Sequence, residues 1–110
     1  MQRIRLDEDY IVPKHLTNAQ FIVESDTDVT IYLNEVRPGT RFEILQLSEN
    51  AVEFNCNSET TSFLIHNKPN VLRVEGTPDT YGKSVIIESF EGSWRIVGGI
   101  LEQHQIYFED

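Results

Sequence analysis

Apolar and polar residues alternate with a period of two wherever apolar residues cluster in this chain. Val29, Ile31 and Leu33 alternate with Thr30 and Tyr32, Phe42 and Ile44 with Arg41 and Glu43, and Val52, Phe54 and Cys56 with Glu53 and Asn55. A strand points successive side chains to opposite faces, so this spacing predicts strands with one buried and one solvated face. No window of a dozen residues sustains the three-and-four spacing of an amphipathic helix, and the chain is expected to be all-β. Further strands are expected in the short run Phe63-Leu64-Ile65, over Val71–Glu75 and Lys83–Ser89, and over Trp94–Val97.

Turn residues punctuate these runs. Pro38 fixes φ and Gly39 tolerates positive φ, which together are the chemistry of a type II turn. With Asn34 to Gly39 as the loop, the strand ending at Leu33 and the strand holding Phe42 are expected to form a hairpin. Ser48-Glu49-Asn50, Lys68-Pro69-Asn70, the glycine-bracketed loop Gly76–Gly82 and Glu91-Gly92 mark further turns, and Asn55 to Thr61 is a polar interruption. A turn every eight to twelve residues is the spacing of sandwiches and barrels. The expected architecture is one compact antiparallel β-sandwich or barrel-like, jelly-roll-like domain over residues 1–110, with about eight to ten short strands.

An extended N-terminal arm, Met1 to Leu16, and a C-terminal tail, Leu101 to Asp110, flank the predicted body. Both keep apolar residues: Ile4, Leu6, Tyr10, Ile11 and Val12 in the arm, Ile106, Tyr107 and Phe108 in the tail. Exposed clusters of this kind are costly, so these eight residues are expected to bury against the domain itself or against a neighbouring subunit, and they are the candidate partner contacts.

Composition narrows the function classes. With 110 residues the chain has room for one core and not for two ordinary ones. Its 18 acidic against 9 basic side chains give a net charge of −9, which repels phosphate backbones and argues against nucleic acid as a partner. That acidity is read as a solubility feature. Cys56 is the only cysteine, so no disulfide can form within the chain, and its place in an alternating run predicts a buried, inert thiol suited to a reducing cytoplasm. Arg3 and Arg5 precede no apolar run, so no signal peptide is expected, and no segment approaches the roughly 20 apolar residues that cross a bilayer.

Candidate chemistry is sparse. His15, His66 and His104 lack ligand spacing, and Asp7-Glu8-Asp9 and Asp26-Thr27-Asp28 lack the glycine and distal glutamate of a calcium loop. No nucleophile elbow or phosphate-binding glycine loop occurs, so no enzymatic activity, metal or cofactor is expected. One binding alternative remains: Tyr81 and Trp94 as an aromatic platform with Glu88 and Glu91 as carboxylates, the elements of a glycan-binding module.

From Gln20 to Gly99 the succession Val29-x-Ile31-x-Leu33, Pro38-Gly39-x-x-Phe42-x-Ile44, Val52-x-Phe54, Gly82-x-x-Val85-x-Ile87 and Trp94-x-Ile96 resembles the small β domains of bacteriophage tail-fibre, tail-spike and head-decoration proteins. The resemblance implies a virion structural role without enzymatic activity, in a symmetric homo-oligomer that is often a trimer. It further implies capsid or tail proteins as partners, assembly in the host cytoplasm, and, at this length, a small decoration or adaptor protein. It identifies no functional residues.

Overall fold

Ten strands form two five-stranded sheets in a computed structural model that describes residues 1–33, 36–58, 60–99 and 105–109. In chain order they are β1 (Gln2–Leu6), β2 (Tyr10–Ile11), β3 (Asn18–Val23), β4 (Val29–Tyr32), β5 (Arg41–Gln46), β6 (Val52–Asn55), β7 (Val71–Val74), β8 (Ser84–Phe90), β9 (Ser93–Gly99) and β10 (Ile106–Glu109). One sheet runs β1-β3-β5-β8-β9 and the other β10-β7-β6-β4-β2. The expected class, an all-β sandwich of eight to ten strands, is the class observed.

The pairing directions correct the expectation of a wholly antiparallel body. β1, β3 and β5 are parallel to one another, as are β2, β4 and β6, while β8 and β9 pair antiparallel in the first sheet and β7 and β10 in the second. The chain passes to the opposite sheet after each of its first five strands, so each parallel crossover contains a strand of the other sheet. Parallel neighbours need a crossover of a dozen or more residues, and here a turn, a strand and another turn supply it. The first 55 residues therefore wind as three coils of a short solenoid, and the later strands close it with antiparallel layers. The expected hairpin is corrected for the same reason: β4 and β5 lie in different sheets. The type II turn itself is present, with Thr40 N donating to Arg37 O at 3.3 Å around Pro38 and Gly39, whose φ is 79°. Asn34, Glu35 and Glu59 lie outside the described residues.

Coiling stacks like positions. Ala19 pairs with Phe42 and Val29 with Val52, in each case 23 positions apart, so inward residues form rows across each sheet: Ile4, Phe21, Ile44 and Val85 in one, Tyr10, Ile31, Phe54, Leu72 and Phe108 in the other. Phe21 sits centrally, its ring 5.7 Å from Tyr10, 5.5 Å from Phe42 and 6.4 Å from Phe54 across the sandwich. Phe42 continues the cluster to Trp94 at 5.7 Å. Period two selects which side chains enter this core, and burial of those rings and branched chains supplies the driving force.

Residues 1–16 are not an extended arm. They make the first coil, with β1 and β2 as end strands of the two sheets and Leu6, Val12 and Leu16 buried in the shared core. Of the expected tail, Leu101 to His104 and Asp110 lie outside the described residues, and Ile106 to Glu109 form the strand β10.

The three turns that follow β1, β3 and β5 gather at one end, where side chains tie one coil to the next. Asp9 Oδ1 accepts from Thr30 N at 2.8 Å, and Asp28 Oδ1 accepts from Ala51 N at 3.0 Å, so successive turns are capped by the same device. Asn50 Nδ2 donates to Ser25 O at 2.8 Å. Gln46 is fully buried in the row with Leu6 and Val23, donating to Asn50 O at 2.7 Å and accepting from Ser48 Oγ at 3.0 Å. Gln46→Leu keeps the bulk and strands those two partners, so a loss of about 1–3 kcal/mol is expected in urea unfolding. Gly76 passes so close that a Cβ there would overlap the backbone of Asn50 and Ala51. A Gly76→Ala variant should therefore unfold at a clearly lower temperature, since backbone cannot yield as a flexible side chain can.

Candidate functional site: two open sheet edges on one flank

β1 and β2, consecutive in the chain, end the two sheets on the same flank. Among the described residues no strand pairs with the outer side of either. Backbone bonds fix which groups face outward. Leu6 O accepts from Glu24 N at 3.0 Å, so Leu6, Ile4 and Gln2 turn their backbone groups to β3 and Arg3 and Arg5 turn theirs away. Val12 N donates to Tyr32 O at 2.9 Å, which turns Val12 and Tyr10 to β4 and leaves Ile11 facing out. The flank thus offers the main-chain groups of Arg3, Arg5 and Ile11 for strand addition, a geometry that accepts a partner's backbone with little demand on sequence.

Side chains add character to that edge. Arg3 and Arg5 are exposed, with Arg5 Nη1 3.9 Å from Glu24 at a solvated site, a pair worth at most about 1 kcal/mol. Ile11 is 65% exposed, an apolar side chain beside an open backbone. The opposite flank is partly covered: Trp94 N donates to Ser62 O at 3.0 Å and Leu64 N to Trp94 O at 2.8 Å, so residues 62–64 run along β9. β10 forms the other edge there, with Tyr107 and Glu109 exposed.

Of the eight candidate contact residues, Leu6 and Val12 are buried, and Ile4, Tyr10, Ile106 and Phe108 pack half-buried against the domain's own core. Only Ile11 and Tyr107 are exposed, and they sit on opposite edges of one sheet. The exposed part of this flank is accordingly made of backbone edges more than of the apolar side chains expected to make contacts, and it includes Arg3 and Arg5, which alternation alone did not single out.

The four residues of the expected glycan platform do not come together. Tyr81 is exposed in the loop preceding β8, whereas Glu88 and Glu91 lie toward its far end. Glu88 accepts from Arg95 at 2.6 and 3.0 Å, and Glu91 occupies a left-handed turn position with φ 47°. Trp94 has no exposed surface at all, which corrects its place in the platform; it is a core plug. A ring that cannot meet solvent cannot stack on a sugar.

The remaining candidates resolve into structure. No group of three ligand-type side chains is assembled among the described residues; His15 and His66 are exposed and His104 lies outside them. Of the turn carboxylates, Asp7 and Asp26 line an open cleft of about 670 Å³ with Glu24 and Glu49, while Asp9 and Asp28 accept from backbone N–H groups of the next coil. Arg73 serves two of the acids, 3.0 Å from Asp28 and 3.4 Å from Glu53. Partial burial pulls its guanidinium down, and those bonds and charges more than offset the effect, holding it above its ordinary value.

Cys56 is fully buried, and burial pushes its thiol up to about 12. The native protein should resist a thiol-reactive disulfide reagent at pH 8 and react fully once unfolded in urea. Because the folded thiol ionises later than the unfolded one, the stability it contributes is whole below about pH 9 and falls as pH rises from there toward about 12.

No family model, curated protein or solved structure matches this chain.

Proposed function

We propose that this chain is a non-enzymatic structural protein of the phage virion type, a small capsid decoration or fibre adaptor component that acts through protein–protein contacts in a symmetric homo-oligomer. The observation that carries the proposal is the double open edge, where the end strands of both sheets expose backbone on one flank. The resemblance of residues 20–99 to phage tail and head-decoration domains supplies the setting, with capsid or tail proteins as further partners.

Charge favours one kind of symmetry. A two-fold contact of β1 with its own copy, centred on Ile4, would set Arg3 and Arg5 beside the partner's Arg5 and Arg3, and like charges directly opposite destabilise a strand pair. A cyclic arrangement escapes this by placing the β1/β2 flank of one subunit on a different surface of the next, and the β10 edge with Glu109 is an acidic counterpart. A trimer is the simplest ring of that kind. Light scattering should give a mass that is a small integer multiple of 12.7 kDa; a monomer at every accessible concentration would overturn homo-oligomeric assembly.

A further inference from the structure

The first sheet ends on β1 at one flank and the second on β10 at the other, and among the described residues no strand pairs with the outer side of either. Glu75 N donates to Gln105 O at 3.0 Å, which continues the register of β10 with β7. Alternation along that antiparallel ladder turns Tyr107 and Glu109 to β7 as well and leaves the N–H and C=O groups of Ile106 and Phe108 pointing away. The two edges are thus open at different kinds of residue. On β1 the open backbone belongs to Arg3 and Arg5, whose side chains stand on the outer face, and on β10 it belongs to Ile106 and Phe108, whose side chains pack on the core.

That difference fixes the direction in which these edges can join. In an antiparallel pair, residues with open backbone groups lie directly opposite each other and share a face, so Arg3 or Arg5 would stand beside Ile106 or Phe108 with its guanidinium level with the core. In a parallel pair a residue bonds to the neighbours of the one opposite it, and every side chain keeps its face. We infer that β1 of one copy adds in parallel to β10 of the next, with Arg3 opposite Tyr107, Ile4 opposite Phe108 and Arg5 opposite Glu109. Arg3 N then donates to Ile106 O, Phe108 N to Arg3 O, and Arg5 N to Phe108 O. The inference rests on the homo-oligomer proposed above and names the surface that its β1 edge meets.

Side chains select this register. Tyr107, 45% exposed, offers its ring to the Arg3 guanidinium, and the exposed Glu109 offers a carboxylate to Arg5. Between them Ile4 and Phe108, each half-buried at the end of an inward row, join those rows into one that runs through both copies. Sliding β10 by two residues sets Glu109 level with Asp7, a like charge, or in the other direction carries Arg5 past the end of β10. β9 is the poorer acceptor on that flank, because residues 62–64 already bond to Trp94 along it.

Charge reversal and cross-linking test the contact together. Arg5→Glu and Glu109→Arg should each weaken assembly about tenfold by light scattering, and the double variant, which restores opposite charges across the contact, should return to within about threefold of the wild type. Parallel neighbours lie about 5 Å apart, within reach of a disulfide, and the native Cys56 is buried. An Arg3→Cys protein mixed with a Tyr107→Cys protein and oxidised should therefore give a linked heterodimer at least tenfold faster than Arg5→Cys mixed with Tyr107→Cys. A multimeric wild type whose double variant assembles no better than either single one, or whose two cysteine mixtures link equally fast, would overturn this contact and leave the homo-oligomer standing. A wild type that is monomeric at every accessible concentration would overturn both.

Discussion

Phe21→Ala is expected to cost about 3–5 kcal/mol, the usual penalty for emptying an aromatic site in a packed core. Phe21 is fully buried in the middle strand of the parallel trio, and its ring meets rings from the first coil, the third coil and the opposite sheet. Few neighbours can follow a ring removed from that position, because each is fixed in its own row by strand pairing. Total stability for a domain of this size is about 5–15 kcal/mol, so the variant should lose a large share of it. Urea unfolding measures it directly. Phe90→Ala is the control: that ring is 43% exposed and only faces the Arg95 guanidinium at 5.1 Å, so its loss should stay within about 1 kcal/mol. Equal effects at the two positions would mean that the core is not organised around Phe21.

The second large effect concerns assembly. Proline lacks a backbone donor, and in a sheet it is tolerated on the open side of an edge strand. Arg3 and Arg5 turn their N–H groups outward, so the double substitution Arg3→Pro/Arg5→Pro removes two edge donors and none of those that hold β1 to β3. Oligomerisation should be abolished, with light scattering returning 12.7 kDa, while the far-ultraviolet circular dichroism spectrum keeps its β signature. Arg3→Ala/Arg5→Ala separates charge from backbone: it removes both guanidinium groups and leaves the N–H groups, so it should weaken assembly without abolishing it. An oligomer that survives the proline pair would place the contact elsewhere.

Particular residues show what could be read before the structure and what could not. Alternation identified the inward set well: Val29, Ile31, Leu33, Phe42, Ile44, Val52, Phe54 and Cys56 are all buried, and Trp94 is the plug that a lone tryptophan in a small β domain suggests. Pro38-Gly39 forms the turn its chemistry demands. Period two states which face a side chain takes, however, and is silent on which sheet holds the strand. A short polar turn such as Ser48-Glu49-Asn50 can reverse a chain within one sheet or carry it across to the other, and nothing local distinguishes the two. The distinguishing signal is longer in range: Phe21 with Ile44, Val29 with Val52 and Ile31 with Phe54 recur at one offset, the mark of coils stacked in register. The first coil is shorter, pairing Ile4 with Phe21 and Tyr10 with Ile31, which breaks the offset and lets its residues pass for an arm.

The candidate site followed from topology rather than from residue type. Arg3, Arg5 and Ile11 are singled out because, among the described residues, β1 and β2 pair on one side only, a property of strand order that no motif encodes.

Amide hydrogen exchange at single-residue resolution tests strand addition at the β1/β2 flank most directly. In the assembled protein the amides of Arg3, Arg5 and Ile11 should exchange as slowly as those of Ile4 and Val12, and on dilution to monomer these three alone should become fast. Rapid exchange of Arg3, Arg5 and Ile11 in a sample whose mass is multimeric would contradict it.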